Sequence, residues 1–395
     1  MKLTIKDIKG NNQGDLEVKF PLIEDGKGTQ AVHDAVVAYQ AAQRMGYEVV
    51  VLDPDPVSPA GRNAARHLQA SYTDRQALTT LGSLAQVVTI EFENVPAEAL
   101  AFLRHRCPVR PGPEAVEITQ DRIVEKTFIR AQGLDTAAFV PILSETGIPA
   151  AAAEIAGPAI LKTARHGYDG KGQAPVETPA EILAGFRAFE GQPCILEERV
   201  TLEREISVVL TRGSTGALVT LPVAENRHVN GILDSSVVPA RIPDAVAGRA
   251  REAAGQLAAA MGFVGTMAVE FFLAQGDRLL VNELAPRPHN SGHYTLDACA
   301  TDQFEQQVRA VTELPLGDAT LLFPVTMVNL LGDLWATGTP RWDEALRDPR
   351  VHLHLYGKAE PRPGRKMGHL NVFAETPDQA LTAALAARAR LISPT

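Results

Sequence analysis

Four stretches of this chain concentrate side chains that could do chemistry. The first is LKTARHGYDGKGQ, Leu161 to Gln173, where Gly167, Gly170 and Gly172 fall within six residues. Glycines at that density let the backbone approach a ligand, and exposed N–H groups in such a loop cradle phosphates. Lys162, at the end of an apolar run, would add a point charge on those phosphates. The GxxxxGK[ST] pattern of a Walker loop occurs nowhere in the chain, so this is not a P-loop. Taken alone, the stretch is also compatible with the tip of a glycine hairpin.

The second stretch, TMAVEFFLAQGDRLLVNELAPR, reads as a hairpin turning at Gln275 and Gly276. That turn sets Glu270 opposite Val281 and makes Glu283 its diagonal neighbour on the same face, within reach of one shared ion. A slip of one residue would put the two on opposite faces. A carboxylate inside an apolar run is costly without a partner, and Mg²⁺ bridging nucleotide phosphates is the expected one. Two outward-facing glutamates on a half-exposed hairpin are the ordinary alternative. Directly after it, APRPHNSGHYT places Arg287, His289, Asn290, Ser291 and His293 within seven residues, a donor-rich loop suited to an anion or oxyanion. The fourth stretch, RPGRKMGHLN, offers Arg362, Arg365, Lys366 and His369; its adjacent Arg365 and Lys366 read as a phosphate clamp or as a solvated basic turn.

The elements that must position these residues fall into two styles. Between residues 35 and 110, VVVLD (49–53) and AQVVTIEFE (85–93) alternate with helical patterns near Asp74–Gly82 and Pro96–His105, the βαβα rhythm of a parallel, doubly wound sheet. PGPEAVEI (111–118) punctuates the chain before a helix around Gln120–Gln132. From about residue 155, PAILKTA, PCILEERV, REISVVLTR, GALVTLPVA, TMAVEFFLA and RLLVNELA predict antiparallel strands, interrupted by a helix over Asp244–Met261. A helix at Thr301–Thr312, the runs VTMVNLLG and VHLHLYG, and an alanine-rich helix complete the chain.

Composition narrows the class of function. The 395 residues are 45% hydrophobic, enough for two or three domains with sizeable cores. A net charge of −9, with no block of like charges, argues against nucleic-acid or membrane-surface binding. Cys107, Cys194 and Cys299 lie far apart and form no CxxC, so neither zinc nor a disulfide framework is indicated. The N-terminal MKLTIKDIKGNNQGD has no apolar core of a leader, and no run is long enough to span a bilayer, so a cytoplasmic enzyme is expected.

RHGYDGKGQ, NELAPRPHNSGHYTLDA, EFENVPAEAL, QDRIVEK and PGRKMGHLN together resemble the N5-carboxyaminoimidazole ribonucleotide synthetases, ATP-grasp enzymes of purine biosynthesis, from about Arg44 to the end. The resemblance implies an α/β and α+β chain. It would comprise a Rossmann-like pre-ATP-grasp domain (1–117), an ATP-grasp domain with a glycine-rich lid (118–312) and a small C-terminal domain (313–395), assembled as a homodimer. It further implies that ATP phosphorylates bicarbonate to carboxyphosphate, and that carboxyphosphate itself or the CO₂ released from it carboxylates the exocyclic amine of 5-aminoimidazole ribonucleotide. Carried over by motif, Arg122 and Lys162 would contact ATP. Gly167, Tyr168, Asp169, Gly170, Lys171, Gly172 and Gln173 would form the lid. Glu197, Glu198, Arg199 and Val200 would form the adenine hinge, with Glu205 on the ribose and His228 nearby. Glu270 and Glu283 would hold Mg²⁺ with Asn282 beside them. Arg287, His289 and Asn290 would hold bicarbonate and the carboxylated product. Arg365 and Lys366 would grip the ribonucleotide phosphate, and Glu91 and Glu93 would reach its ribose or amine. The family's opening strand and GGGQLG-type loop have no counterpart: that loop should fall near Gln30–Ala35, where the chain has QAVHDA. The opening residues instead resemble the start of a large-subunit ribosomal protein, with a junction expected near Gln40–Met45. Two other functions fit the same motifs: an ATP-grasp nucleotide ligase or transformylase, and a nucleotide-binding protein without turnover.

Overall fold

The near-continuous apolar runs around TMAVEFFLA and REISVVLTR are what strands covered on both faces require. In the computed structural model, which describes residues 2–6, 12–17, 31–56, 58–167, 171–358 and 360–392, they form Gly265–Ala274 and Leu202–Arg212. These strands belong to a nine-stranded antiparallel sheet. From one edge the order is Arg278–Ala285, Gly265–Ala274, Leu202–Arg212, Ala224–Val229, Ile232–Val238, Val325–Leu331, Lys366–Phe373 and Val351–Leu355, with Leu218–Thr220 paired to Leu202–Arg212. The helix Asp244–Ala260 covers one face through Val246, Ala250, Ala254 and Leu257, which meet Ile206, Val208, Phe263 and Phe271. Each large apolar side chain so buried contributes about 1.5–3 kcal/mol.

A second, four-stranded sheet runs Phe139–Ile142, Cys194–Glu198, Ala159–Thr163 and Gln173–Val176. Its core of Ile142, Leu161, Ile182, Phe186 and Leu196 is closed by the helix Pro179–Ala188, which starts on a Thr178–Glu181 capping box. The sheet carries Lys162 on one strand and Glu197 on its neighbour.

The first domain departs most from expectation. Val50–Leu52 pairs in parallel with Arg66–Leu68, and among the described residues the other parallel contact is a single Val88 to Val109 bridge. AQVVTIEFE therefore runs largely as loop, although Val88 and Ile90 still enter the domain core. Alternation identifies a face, but a strand also needs a neighbour along its length. Lys2–Lys6 pairs antiparallel with Asn12–Glu17 in a two-stranded sheet of its own, not beside Val50–Leu52. The helix Ala31–Arg44 runs unbroken through most of the expected junction and packs Val37 and Ala41 against Phe304 and Val308. The stretch that precedes this helix, PLIEDGKG (21–28), lies outside the described residues.

Val325–Leu331 pairs with Ile232–Val238, so the large sheet continues across the boundary expected at 312/313. That continuity brings Lys366 and His369 into the same sheet as Glu270.

Candidate active site

Glu270 pairs directly with Glu283, not with Val281. Two features move the register: the loop centres on Gly276, with Ala274 paired to Arg278, and a bulge between Glu270 and Phe271 absorbs Asn282. The two carboxylates still share a face. Glu270 is buried, and burial followed by the charge of Glu283 lifts its carboxyl to about 7. Burial opposes ionisation of Glu283 as well, but Arg122 and Lys162 outweigh it and hold this carboxyl below its usual range.

The cations come from the opposite wall. Asp121 caps the helix Arg122–Ala131, whose face at positions 122, 125 and 126 turns toward the carboxylates. Arg122 meets Glu283 at 3.2 Å and donates to Gly167 O at 3.2 Å, so one guanidinium joins the metal-type carboxylate to the base of the glycine loop. A Cβ on Gly172, at φ +69°, would lie 2.6 Å from Thr163 Oγ1, so glycine is required where the loop returns to its strand. Lys171 and Gln173 are exposed on this return, while Tyr168, Asp169 and Gly170 lie outside the described residues. Lys162 donates to Glu197 at 2.9 Å, and fully buried Lys126 lies 3.4 Å from the same oxygen. Burial raises the Glu197 carboxyl, but the two lysines overcome it and hold it at about 2.

The Glu197 side chain is thereby a counter-ion for two lysines, because alternation along Cys194–Glu198 turns it inward. Glu198 and Arg199 are exposed and Val200 is half-buried; the Glu198 and Arg199 N–H groups donate to Ala138 O and Pro158 O. Across the large sheet, His228 Nδ1 lies 2.5 Å from Glu205. Burial works against the imidazolium, but Glu205 and Glu270 raise it to about 9. Asn282 contributes its carbonyl, which accepts from Lys126 at 3.1 Å.

The donor-rich loop is clamped from behind by Gln303. Its Oε1 accepts from His289 N at 2.8 Å, and its Nε2 donates to His289 O at 2.9 Å and contacts His293 Nδ1 at 3.0 Å. Gly292 makes room for this amide, since a Cβ there would lie 2.5 Å from Gln303 Oε1. His289 Nε2 lies 3.5 Å from Glu270, which joins the loop to the paired carboxylates. Asn290 is committed elsewhere: its amide exchanges hydrogen bonds with Asn329 at 2.7 and 3.2 Å, so it anchors the loop to the sheet.

Arg287 sits among three carboxyl groups. It meets Glu93 at 3.1 Å and Asp34 at 3.5 Å, and Glu91 lies close enough for their charges to act on each other. Both Glu91 oxygens are out of reach of solvent and without a hydrogen-bond partner among the described residues. Burial, then Asp34, push the Glu91 carboxyl well above its usual range against the pull of Arg287. Asp34 is fully buried and also lies 3.0 Å from His293. The expected pair of Arg365 and Lys366 divides. Lys366 is buried at the start of its strand, where its charge acts on Glu270, His228 and His289. Arg365 is half-buried just before it and donates to Glu360 O at 3.0 Å. Adjacent residues entering a strand leave in opposite directions.

Comparison with known proteins places this geometry. Residues 35–120 match the ribonucleotide synthetase preATP-grasp domain, 127–304 the ATP-grasp domain and 325–383 the phosphoribosylaminoimidazole carboxylase C-terminal domain. The N5-carboxyaminoimidazole ribonucleotide synthase of Bacillus subtilis (strain 168) is 43% identical over 339 residues, covering 86% of this chain and 88% of the relative. The chain belongs to the N5-carboxyaminoimidazole ribonucleotide synthase family. An ADP complex of an N5-carboxyaminoimidazole ribonucleotide synthetase superposes with a TM-score of 0.84 at 40% identity, covering 90% of this chain and 93% of that one. The Aspergillus clavatus N5-carboxyaminoimidazole synthase in complex with ADP and 5-aminoimidazole ribonucleotide does so with a TM-score of 0.83 at 28% identity, covering 92% and 97%. The three-part ATP-grasp fold implied by the resemblance is borne out.

Family motifs pointed to Arg122 and Lys162 but not to Glu125, Lys126 or Asp34. Glu125 and Lys126 could have been found from QDRIVEK, because charged residues at helical spacing with Arg122 share its face. Burial and Glu283 raise Glu125 to about 8, and its Oε1 accepts from Leu284 N at 2.7 Å. The paired glutamates also fit a divalent cation. Among the described residues no third acidic, histidine or cysteine ligand joins them, and two carboxylates with phosphate oxygens and water are the donor set that Mg²⁺ prefers. A cation there would relieve the repulsion that raises Glu270.

Proposed function

We propose that this chain carboxylates 5-aminoimidazole ribonucleotide at its exocyclic amine, using bicarbonate and ATP. The carrying observation is the contiguity of two sites across one pair of carboxylates. Glu283 meets Arg122 on the phosphate side, and Glu270 lies 3.5 Å from His289 on the anion side. Bicarbonate held by Arg287 and His289 would attack the γ-phosphorus of ATP in line, releasing ADP and forming carboxyphosphate. The amine nitrogen then attacks the carboxyl carbon of carboxyphosphate, or CO₂ released from it; phosphate leaves and the nitrogen loses a proton. Carboxyphosphate is short-lived in water, which is a reason for adjoining sites under a glycine-rich lid.

Within this reading Arg122, Lys162 and Gly167–Gln173 position the ATP phosphates, Glu198–Val200 the adenine, and Glu205 with His228 the ribose. Glu270 and Glu283 would hold Mg²⁺, which neutralises phosphate charge when bound. Glu91 and Glu93 face the ribonucleotide. The domain limits 1–117, 118–312 and 313–395, a homodimer and a cytoplasmic location belong to the same reading; among the described residues no helix is long and apolar enough to cross a membrane.

The dividing of Arg365 from Lys366 separates their effects. Arg365→Ala is expected to raise the ribonucleotide KM roughly tenfold or more with little change for ATP, the size of one charge-assisted hydrogen bond. Lys366→Met is expected to act mainly on kcat. Equal KM effects on both substrates for Arg365→Ala would refute the phosphate role.

A second reading, nucleotide binding without turnover, is favoured by Asp34, whose carboxylate takes up the Arg287 charge that bicarbonate would use. Incubation with ATP, Mg²⁺ and bicarbonate decides between them. ADP release stimulated by 5-aminoimidazole ribonucleotide supports carboxylation, and ATP binding with no such stimulation supports the second reading. Stimulation by glycinamide ribonucleotide and formate instead would identify a transformylase.

A further inference from the structure

A row of small polar residues crosses the large sheet on the face that carries the paired glutamates. Glu270 pairs with Ser207, and on the next two strands Asn226 pairs with Ser236. Ser207, Ser236 and Ser291 are at most 1% exposed and Asn226 is 7% exposed, in a sheet otherwise filled by Ile206, Val208, Val209 and Val237. Four polar side chains buried together must satisfy one another or a neighbouring group.

They do so with a direction. Ser236 Oγ donates to Asn226 Oδ1 at 2.8 Å, and Asn226 Nδ2 donates to Ser207 Oγ at 2.9 Å. Ser207 Oγ in turn donates to Ser291 Oγ at 2.7 Å. Ser291 is then left to give its own hydroxyl proton to His289 Nδ1, 2.9 Å away. The Ser291 backbone N–H, which can only donate, points at the same Nδ1 at 3.3 Å. Two independent donors on Nδ1 leave that nitrogen with a lone pair and place the ring proton on Nε2, which faces Glu270 at 3.5 Å.

We propose that Ser291, with Ser207, Asn226 and Ser236 behind it, is a positioning residue that fixes His289 as the Nε2–H tautomer. The consequence concerns the proposed carboxylation and rests on that reading. An Nε2–H cannot ligate a cation and cannot accept the proton of bicarbonate or of the substrate amine. It can donate a hydrogen bond to an anionic oxygen held beside Glu270. His289 is therefore an oxyanion donor, and the cation is left to Glu270 and Glu283.

The test is ¹⁵N-histidine labelling of the whole protein at one fixed pH, with His289→Asn identifying the His289 signals by their loss. The expected wild-type spectrum has a lone-pair-type Nδ1 and a protonated Nε2. Ser291→Ala and Ser207→Ala are each expected to move population toward the Nδ1–H form and to lower kcat roughly tenfold, while Ser291→Thr keeps both the tautomer and the rate. A protonated Nδ1 in the wild type, or an unchanged tautomer in Ser291→Ala, overturns the proposal. The wild-type spectrum decides even if a variant fails to fold. The tautomer is read without turnover, so an absence of ribonucleotide-stimulated ADP release would sink the carboxylation reading and leave this one standing.

Discussion

Glu283→Gln is expected to lower ribonucleotide-dependent ADP release by roughly 10²- to 10³-fold, the size of removing one preorganised charge from a developing phosphoryl transition state. Glutamine keeps the shape and loses the charge. Arg122, which meets Glu283 at 3.2 Å, keeps Gly167 O as a partner and Glu125 nearby, so the lid base should hold. Glu270 compensates in part. Its carboxyl stands at about 7 because of burial and, next, the Glu283 charge; with that charge gone it ionises more readily. The variant therefore retains one anionic oxygen ligand where the parent can offer two. The measurement is ADP release against Mg²⁺ concentration, with the melting curve as a control. Although Glu283 lies within the cleft, its side chain is 39% exposed to solvent, so the melting temperature should change little. Near-parental turnover at every Mg²⁺ concentration would remove Glu283 from the metal site.

How much of this was legible in the sequence depends on the range of each interaction. Period-two and near-continuous apolar runs located six strands of the two antiparallel sheets, but Phe139–Ile142, Gln173–Val176, Ala224–Val229, Ile232–Val238 and Lys366–Phe373 carry no such run and were not read as strands. The same period placed Glu270 and Glu283 on one face. Their register was not legible, because a bulge at Asn282 is a property of the pair and not of either strand. AQVVTIEFE carries the pattern of a strand, yet in the fold a single bridge, Val88 to Val109, pairs it. Lys126 was passed over because a lysine on a helix is usually solvated; its burial depends on Glu197, 71 residues later in the sequence, at 3.4 Å. The serine row behind His289 was invisible for a related reason. Ser207, Asn226 and Ser236 are unremarkable locally, and they join Ser291 in a chain only when three strands and a loop are brought together.

Asp34→Asn tests the most unusual part of the chain and should act on stability and affinity in opposite senses. Asp34 lies on the helix Ala31–Arg44, at a place where the resemblance leads one to expect a glycine-rich loop, and yet it is fully buried against His293 at 3.0 Å and Arg287 at 3.5 Å. Removing one partner of a buried ion pair typically costs about 3–5 kcal/mol because the other charge is stranded. Arg287 keeps Glu93, so the loss should fall near the lower end, about 3 kcal/mol. Denaturant unfolding followed by a probe in the first domain would read it. The second effect is electrostatic. Asp34 and Glu93 are both paired with one guanidinium, and bicarbonate must bind there against their negative charge. With Asp34 neutral, Arg287 is released toward the substrate anion and the bicarbonate KM is expected to fall. A destabilised variant with a lower bicarbonate KM would mean that this helix holds its place in the site by occupying an anion position. Unchanged unfolding together with an unchanged KM would mean that the carboxylate neither docks the helix nor competes for Arg287. A higher KM would make Asp34 part of the bicarbonate site itself.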